Sequence, residues 1–336
     1  MFIQHGSPAL VLAPMDGVTD FLMRELLTEV QPFSYCVTEF IRVSALVPSE
    51  RVFLTDVPEL NSGCRTLSGA PIQVQLLGGD PEKLAASALR AVELGAQGID
   101  LNFGCPAPTV NRHDGGATLL KFPERIEAIV SAVRAAVPLE IPVSAKLRLG
   151  WDSMASIHEN AERAARGGAS WITIHGRTKM QGYTPPAYWR PIGEVRANVG
   201  IPVVANGEIW TIDDLKRCQE ETGCEHFMIG RGALAEPGVV RACAQYLGMQ
   251  VTPSHVGALD GDPKLWRDLL TKVVARSTCS NESERRTVSR LKQWLNYAHK
   301  RETISWFDEL KRLSSYDEIL GRLDTYASNP SEREAA

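Results

Sequence analysis

Residues 142–178 read PVSAKLRLG, then WDSMASIHENAERAARGGAS, then WITIHGRT. A short apolar run rich in β-branched residues gives way to helical text, and a second such run follows. That order predicts a strand, a crossover helix and a second, parallel strand. Gly167-Gly168 falls where the helix has to stop.

Working outward, the same alternation fills the first 235 residues. The β-like runs are LVLAPM (10–15), YCVTEF (35–40), PIQVQLLG (71–78), GIDLNFG (98–104), PVSAKLRLG (142–150), WITIHGRT (171–178), PVVANGEI (202–209) and HFMIGRGAL (226–234). Eight runs separated by helical text predict an α/β fold of the (β/α)8 TIM-barrel type. Asp80-Pro81 and Phe122-Pro123 put proline in a first helical turn, and Gly95 sits where a helix ends.

After about residue 247 the text changes. GALDGDP (257–263) reads as a linker. PKLWRDLLTKVVARS, ERRTVSRLKQWLNYAHKR and ISWFDELKRLSSYDEILGRLDTY are helical, with no strand signal. The expectation is a catalytic barrel over 1–247 and a small all-α domain over 258–336. The terminal SNPSEREAA is expected to fray.

Composition narrows the class. Of 336 residues, 44% are hydrophobic, enough for a large core and too many for a disordered chain. No apolar run approaches the roughly 20 residues of a membrane span. MFIQHGSPALVLAPM has no basic end ahead of a long apolar core, so the expectation is a cytoplasmic enzyme without an export signal. The seven cysteines are odd in number and form no C-x-x-C pair. That pattern argues against a disulfide framework and a zinc site, and no metal is expected. Net charge is −4, yet Lys264 to Arg312 holds twelve Lys/Arg against six Asp/Glu. This local +6 fits either an anionic partner or a solvated helical surface.

The strand ends carry the unusual residues. Met15, Glu39, Gln75, Asn102, Lys146, His175, Asn206 and Arg231 all lie at or just beyond the C-terminal ends of apolar runs. Buried polar groups cost free energy unless paired, and in this fold those ends converge on one face where active sites are built. Asn206-Gly207-Glu208 and Gly230-Arg231-Gly232 follow the last two strands, where many such barrels hold a phosphate; two ordinary turns are the alternative. Lys146 inside an apolar strand reads as an active-site ammonium that stabilises a flavin anion, or as an acid–base lysine. Gln75 offers a donor and an acceptor to a pyrimidine-type edge. His175 either bonds a phosphate or is a satisfied core histidine. Cys105, in a Gly-Cys-Pro loop at the same face, can donate a proton or attack as a thiolate.

Asp100-Leu-Asn-Phe-Gly-Cys-Pro106, with Val110 and Gly116-Ala117 at the right distances, resembles the signature of the tRNA-dihydrouridine synthases. The likeness extends over essentially the whole chain, through Ala13–Val18, Gln75–Gly78, Lys146-Leu-Arg148, His175–Thr178, Asn206–Ile209 and Gly230–Gly232. Thr38–Arg42, Gly150–Asp152, Gln181–Tyr183 and Lys292–Leu295 look most like the bacterial subfamily that acts on position 16.

The resemblance implies bound FMN, NADPH (with NADH as the alternative reductant), tRNA as partner, a monomer with no obligate protein partner, and reduction of uridine to dihydrouridine. Pro14, Met15 and Asp16 would line the flavin. Gln75 and Lys146 would contact its ring. His175, Asn206, Gly207, Glu208, Gly230 and Arg231 would hold its ribityl phosphate side. Asn102 and Arg148 would meet the uridine. Hydride would pass from flavin N5 to uracil C6, and Cys105 would protonate C5. Arg42, Arg148, Arg290 and Lys292 would contact tRNA, beside Arg285 and Arg286. One position departs: Pro108 stands where many members have Lys. A reductase of free pyrimidines is the nearest rival; it leaves the basic helical region without a role.

Overall fold

A computed structural model describes residues 2–4, 6–111 and 115–329. The strands are β1 (Ala9–Leu12), β2 (Tyr35–Val37), β3 (Ile41–Arg42), β4 (Ile72–Leu77), β5 (Ile99–Asn102), β6 (Val143–Arg148), β7 (Trp171–His175), β8 (Val203–Asn206) and β9 (His226–Ile229). All pair in parallel, in the order β2-β1-β9-β8-β7-β6-β5-β4-β3, and a further β2–β4 pairing closes the ring. Eight of these strands correspond to the eight apolar runs. The ninth, β3, pairs with β4 beyond the β2–β4 register, so it extends the edge of the ring.

The chain falls into two compact units. The first holds residues 1–21, 33–209 and 213–229, and with them the whole barrel. Its strands are buried on both faces, as parallel strands under a helical layer must be; all six residues of β4 are buried. The lumen is apolar at the N-terminal end. Phe2 packs edge-on to Tyr35 with ring centroids 5.1 Å apart and lies 6.1 Å from Trp171. Tyr35 and Trp171 open β2 and β7, and Val11, Val37, Val204 and Met228 complete this plug. Burying each such side chain contributes about 1.5–3 kcal/mol.

Outer helices begin where the sequence indicated. Asp80 caps the helix Pro81–Glu93, its Oδ1 accepting from the Glu82 and Lys83 N–H groups at 3.1 Å each. Pro123 opens the helix Pro123–Ala136.

The second unit gathers residues 22–32, 210–212 and those from Gly230 onward. Its longer helices are Pro263–Cys279, Glu284–His299 and Tyr316–Ser328. Trp266 and Trp294 meet edge to face at 5.8 Å, with Leu270, Leu291, Leu295 and Leu323 buried in the same unit. The Trp294 indole donates to the Leu234 carbonyl at 2.9 Å, so its one polar atom is satisfied. No strand occurs in this unit among the described residues. Of the SNPSEREAA stretch expected to fray, Ser328 ends the helix Tyr316–Ser328 and Asn329 caps it, while 330–336 lie outside the described residues. Among the described residues, no helix is long and apolar enough to cross a membrane.

Candidate active site

Strand register brings the polar strand-end residues side by side. Gln75 pairs with Asp100, Asp100 with Ser144, Asn102 with Lys146, Arg148 with His175, and His175 with Asn206. Side chains two residues apart on a strand share a face, so Gln73 and Gln75, Asp100 and Asn102, and Ser144, Lys146 and Arg148 form neighbouring columns.

Hydrogen bonds tie these columns together. Gln75 Nε2 donates to Asp100 Oδ2 at 2.6 Å, and Asn102 Nδ2 donates to Gln75 Oε1 at 2.8 Å. Asn102 Oδ1 accepts from the backbone N–H groups of Gly104 at 2.9 Å and Cys105 at 3.0 Å. Ser144 Oγ donates to Asp100 Oδ1 at 2.5 Å and accepts from Gln73 Nε2 at 2.9 Å. Sequence reading singled out Gln75, Asn102 and Lys146 but passed over Ser144, Gln73 and the role of Asp100. The period-2 rule applied backward from Asn102 and Lys146 would have found Asp100 and Ser144.

Cys105 is half-buried, whereas the other cysteines are buried except the exposed Cys279. Its carbonyl accepts from Ala117 N at 3.1 Å and Asn111 Nδ2 at 3.2 Å. Burial pushes the thiol pKa above its ordinary value, and the charge of Asp16 adds to that. The Ala107 N–H and the charges of Arg148 and Lys146 act the other way without cancelling it. Cys105 is therefore a protonated thiol at neutral pH, a donor rather than a nucleophile. Pro108 opens the short helix Pro108–Asn111, whose last side chain supplies that Asn111 contact.

The Lys146 side chain makes no hydrogen bond or ion pair among the described residues. Burial and the charge of Arg148 pull its pKa down to about 8, against Asp100 and Cys105, which favour the ammonium. A half-buried ammonium without a partner is costly, which marks the place where an acceptor from a ligand would be stabilised.

Arg148 is buried and largely committed. Its Nε donates to Gly104 O at 2.7 Å, and Nη1 donates to Thr178 O at 3.2 Å and Gly182 O at 2.9 Å. Its guanidinium lies over the Tyr183 ring at 5.4 Å, and that ring stands edge-on to His175 at 6.5 Å. Arg148 thus braces the cysteine loop against the 178–183 loop. A side-chain hydrogen bond with Tyr183 adds to these contacts.

Around the rim, Met15 N donates to Thr19 Oγ1 at 2.8 Å and Val18 N to Glu39 Oε1 at 2.9 Å, which folds the Pro14–Asp16 turn. Pro14 and Met15 are half-buried and Asp16 is exposed. Asn206 Nδ2 donates to Met228 O at 2.8 Å. Gly207 has φ +118, and a Cβ there would sit 3.3 Å from Gly176 N and 3.5 Å from His175 Nε2. Its bare backbone keeps that space open. Glu208 faces Arg177 at 2.5 Å and accepts from Ala187 N at 3.0 Å. Arg42 is exposed, with Nη2 donating to Thr109 O at 3.1 Å.

In the second unit, Gly230 precedes the five-residue helix Arg231–Ala235. The Arg231 guanidinium lies 5.0 Å from the centre of the Trp210 ring, and that of Arg301 lies 4.6 Å from it. Arg290 is engaged rather than free: it pairs with Glu282 at 2.9 Å. Lys292 is half-buried, and Arg285 and Arg286 are exposed.

The family model described as dihydrouridine synthase (Dus) matches residues 11–327. A tRNA-dihydrouridine(16) synthase of Shewanella oneidensis is 44% identical over 319 residues, covering 94% of this chain and 97% of the relative. One from Pseudomonas putida is 46% identical over 307 residues, covering 90% and 92%. One from Haemophilus influenzae is 43% identical over 320 residues, covering 94% and 99%.

Proposed function

The chain belongs to the dihydrouridine synthase family, and on that premise we propose that it reduces uridine at position 16 of tRNA to 5,6-dihydrouridine, with FMN as bound flavin and NADPH as reductant. One observation carries the chemical reading: a protonated thiol, Cys105, within electrostatic range of a half-buried ammonium, Lys146, whose side chain has no partner among the described residues.

The residues fit a flavin. Lys146 has its charge to offer, Gln75 keeps one Nε2 hydrogen beyond that given to Asp100, and Gly207 leaves its backbone open. Gln75 and Lys146 would hold the ring, with Pro14, Met15 and Asp16 along it. His175, Asn206, Gly207, Glu208, Gly230 and Arg231 would hold the ribityl phosphate side. Bound there, a flavin would supply the hydride that uracil C6 receives.

The remaining chemistry falls to this chain's own residues. Hydride addition leaves negative charge over uracil C5 and O4. Cys105 delivers the proton to C5 from its Sγ, as general acid. Asn102 keeps one Nδ2 hydrogen for a uracil carbonyl, and the Arg148 guanidinium would add its positive charge. A base inside a folded RNA has to leave its stack to reach the barrel mouth.

Residues 1–247 form the flavin-binding catalytic domain in this reading, and 258–336 the tRNA-binding domain. Arg285, Arg286 and Lys292 of the latter, with Arg42, contact RNA phosphates and orient the D-loop. The enzyme acts as a monomer in the cytoplasm. Incubation of the purified protein with FMN, NADPH and unmodified tRNA tests the reading. NADPH oxidation coupled to dihydrouridine in tRNA supports it; equal turnover of free uridine replaces it with a free-pyrimidine reductase.

A further inference from the structure

Beneath the acid lies a buried carboxylate that the chemistry above leaves without a role. Asp100, on β5, is 2% exposed. It ends a polar chain with one direction. The Cys105 and Gly104 N–H groups donate to Asn102 Oδ1, Asn102 Nδ2 donates to Gln75 Oε1, and Gln75 Nε2 donates to Asp100 Oδ2. Ser144 donates to the other oxygen, and Gln73 Nε2 donates to Ser144.

The direction is not arbitrary. A carboxamide has an oxygen and a nitrogen of nearly the same shape, so Gln75 and Asn102 can each sit either way round. Two groups in the chain have no such freedom. Backbone N–H groups only donate, and an ionised carboxylate only accepts. With Asp100 ionised, Gln75 must turn its nitrogen down and its oxygen up. Asn102 must then turn its nitrogen to Gln75 and its oxygen to the cysteine loop. Without an acceptor-only group at the bottom, the pair is oriented from the top alone, and a flipped pair, with Asn102 presenting N–H to the N–H groups of Gly104 and Cys105, becomes accessible. The loop would lose the contact that holds it.

We propose that Asp100 is a positioning residue for the Cys105 acid, acting through the Gln75–Asn102 amide pair that it orients. This rests on the reading of Cys105 as the proton donor. Asp100 touches neither uridine nor Cys105 itself. Its carboxyl is ionised at the working pH: burial pushes the pKa up to about 6, against the hydrogen bonds of Ser144 and Gln75 and the charge of Lys146. The ionisable groups facing it from neighbouring strands are Lys146 of β6 and Tyr35 of β2, and Tyr35 is held neutral by burial and by Asp100 itself.

The test is a double-mutant cycle on single-turnover uridine reduction, begun from holoenzyme already reduced. Asp100→Asn replaces one acceptor oxygen with a donor, so the amide chain is no longer forced one way. Displacing a catalytic group by about an ångström costs on the order of tenfold to a hundredfold in rate. We expect a loss in that range, with the thermal midpoint near that of the unmodified protein. In a Cys105→Ala background the same substitution should cost less than threefold, because the residue it positions is gone. Additive losses, or an Asp100→Asn enzyme at full rate, would overturn the proposal. A Cys105→Ala enzyme at full rate would instead remove the underlying reading of Cys105. The unmodified protein gives a second measurement that needs no variant at Asp100. Lowering the pH through about 6 protonates Asp100, and uridine reduction should fall there, while the residual rate of Cys105→Ala should not. The same acid limb in both proteins would overturn the assignment.

Discussion

Arg290 and Glu282 form an ion pair at 2.9 Å in which both side chains are nearly buried, at 9% and 7% exposure. Glu282 also accepts from Ser277 Oγ at 2.8 Å and pairs with Arg286 at 3.1 Å. Burial alone would raise the Glu282 pKa; the hydrogen bonds from Arg290 and Ser277 and the charges of Arg290 and Arg286 outweigh it and hold it below the usual range. The densest basic stretch of the sequence therefore contains a structural arginine.

Arg290→Ala should lower stability more than RNA affinity. Breaking a nearly buried ion pair costs about 3 kcal/mol, visible as a lower thermal midpoint. Lys292→Ala and Arg285→Ala should do the reverse. Each should weaken tRNA binding and reduce its salt slope by about 1, with unfolding unchanged. Titrations at several salt concentrations, beside thermal melts, separate the two classes. An Arg290→Ala protein that melts normally but has lost tRNA affinity would reverse the assignment.

Lys146 should govern the reductive half-reaction. Its pKa is depressed to about 8, so its charge is present below that pH and lost as pH rises through it. Reduction of the bound flavin by NADPH should slow along that limb, which a bound anion moves upward. Lys146→Gln should lower the rate by about 10²-fold, the usual effect of removing one charge-stabilising group, and should flatten the profile. Stopped-flow absorbance between pH 6.5 and 9.5 reads both.

Gly116 sets the seat of the cysteine loop. Its φ is +60, and a Cβ there would lie 2.9 Å from Val110 Cγ1 and 3.0 Å from Cys105 O. Gly116→Ala should push the loop outward and slow uridine reduction by about 10–10²-fold, since small displacements of a catalytic group are costly. Flavin reduction should be nearly unaffected. Equal losses in both half-reactions would show that the barrel, not the loop, had been disturbed.

Cys105→Ala should bind flavin and accept electrons from NADPH, yet form dihydrouridine about 10²–10⁴-fold more slowly. Because burial raises the thiol pKa, the acid form persists through neutral pH. On the alkaline side the unmodified enzyme should lose activity as the pH rises through the raised thiol value. Single-turnover rates on tRNA with the pre-reduced enzyme measure both effects.

The barrel was legible because parallel strands are buried on both faces and so stand out as apolar runs between helices. Its polar face was legible because Gln75, Asn102 and Lys146 interrupt those runs. Asp100 and Ser144 were less so: each is a single polar residue inside an apolar run, and only the two-residue spacing from Asn102 and Lys146 says which face it takes. The Arg290 ion pair was not legible because Glu282 lies eight residues upstream, just before the N-cap Ser283, a pairing that charge density along a helix does not reveal. Arg148 was expected to meet the uridine; its commitment to the Gly104, Thr178 and Gly182 carbonyls depends on how three loops fold. The grouping of residues 22–32 with the helices after Gly230 is likewise tertiary.

The most direct test is the position of dihydrouridine in tRNA from a bacterial strain that lacks its own synthases and expresses this protein, mapped by mass spectrometry of nuclease digests. The account predicts dihydrouridine at position 16 of the D-loop, and none there when Cys105→Ala is expressed instead. Dihydrouridine at 17 or 20 with 16 left as uridine would contradict the assigned position, and tRNA free of dihydrouridine would contradict the function itself.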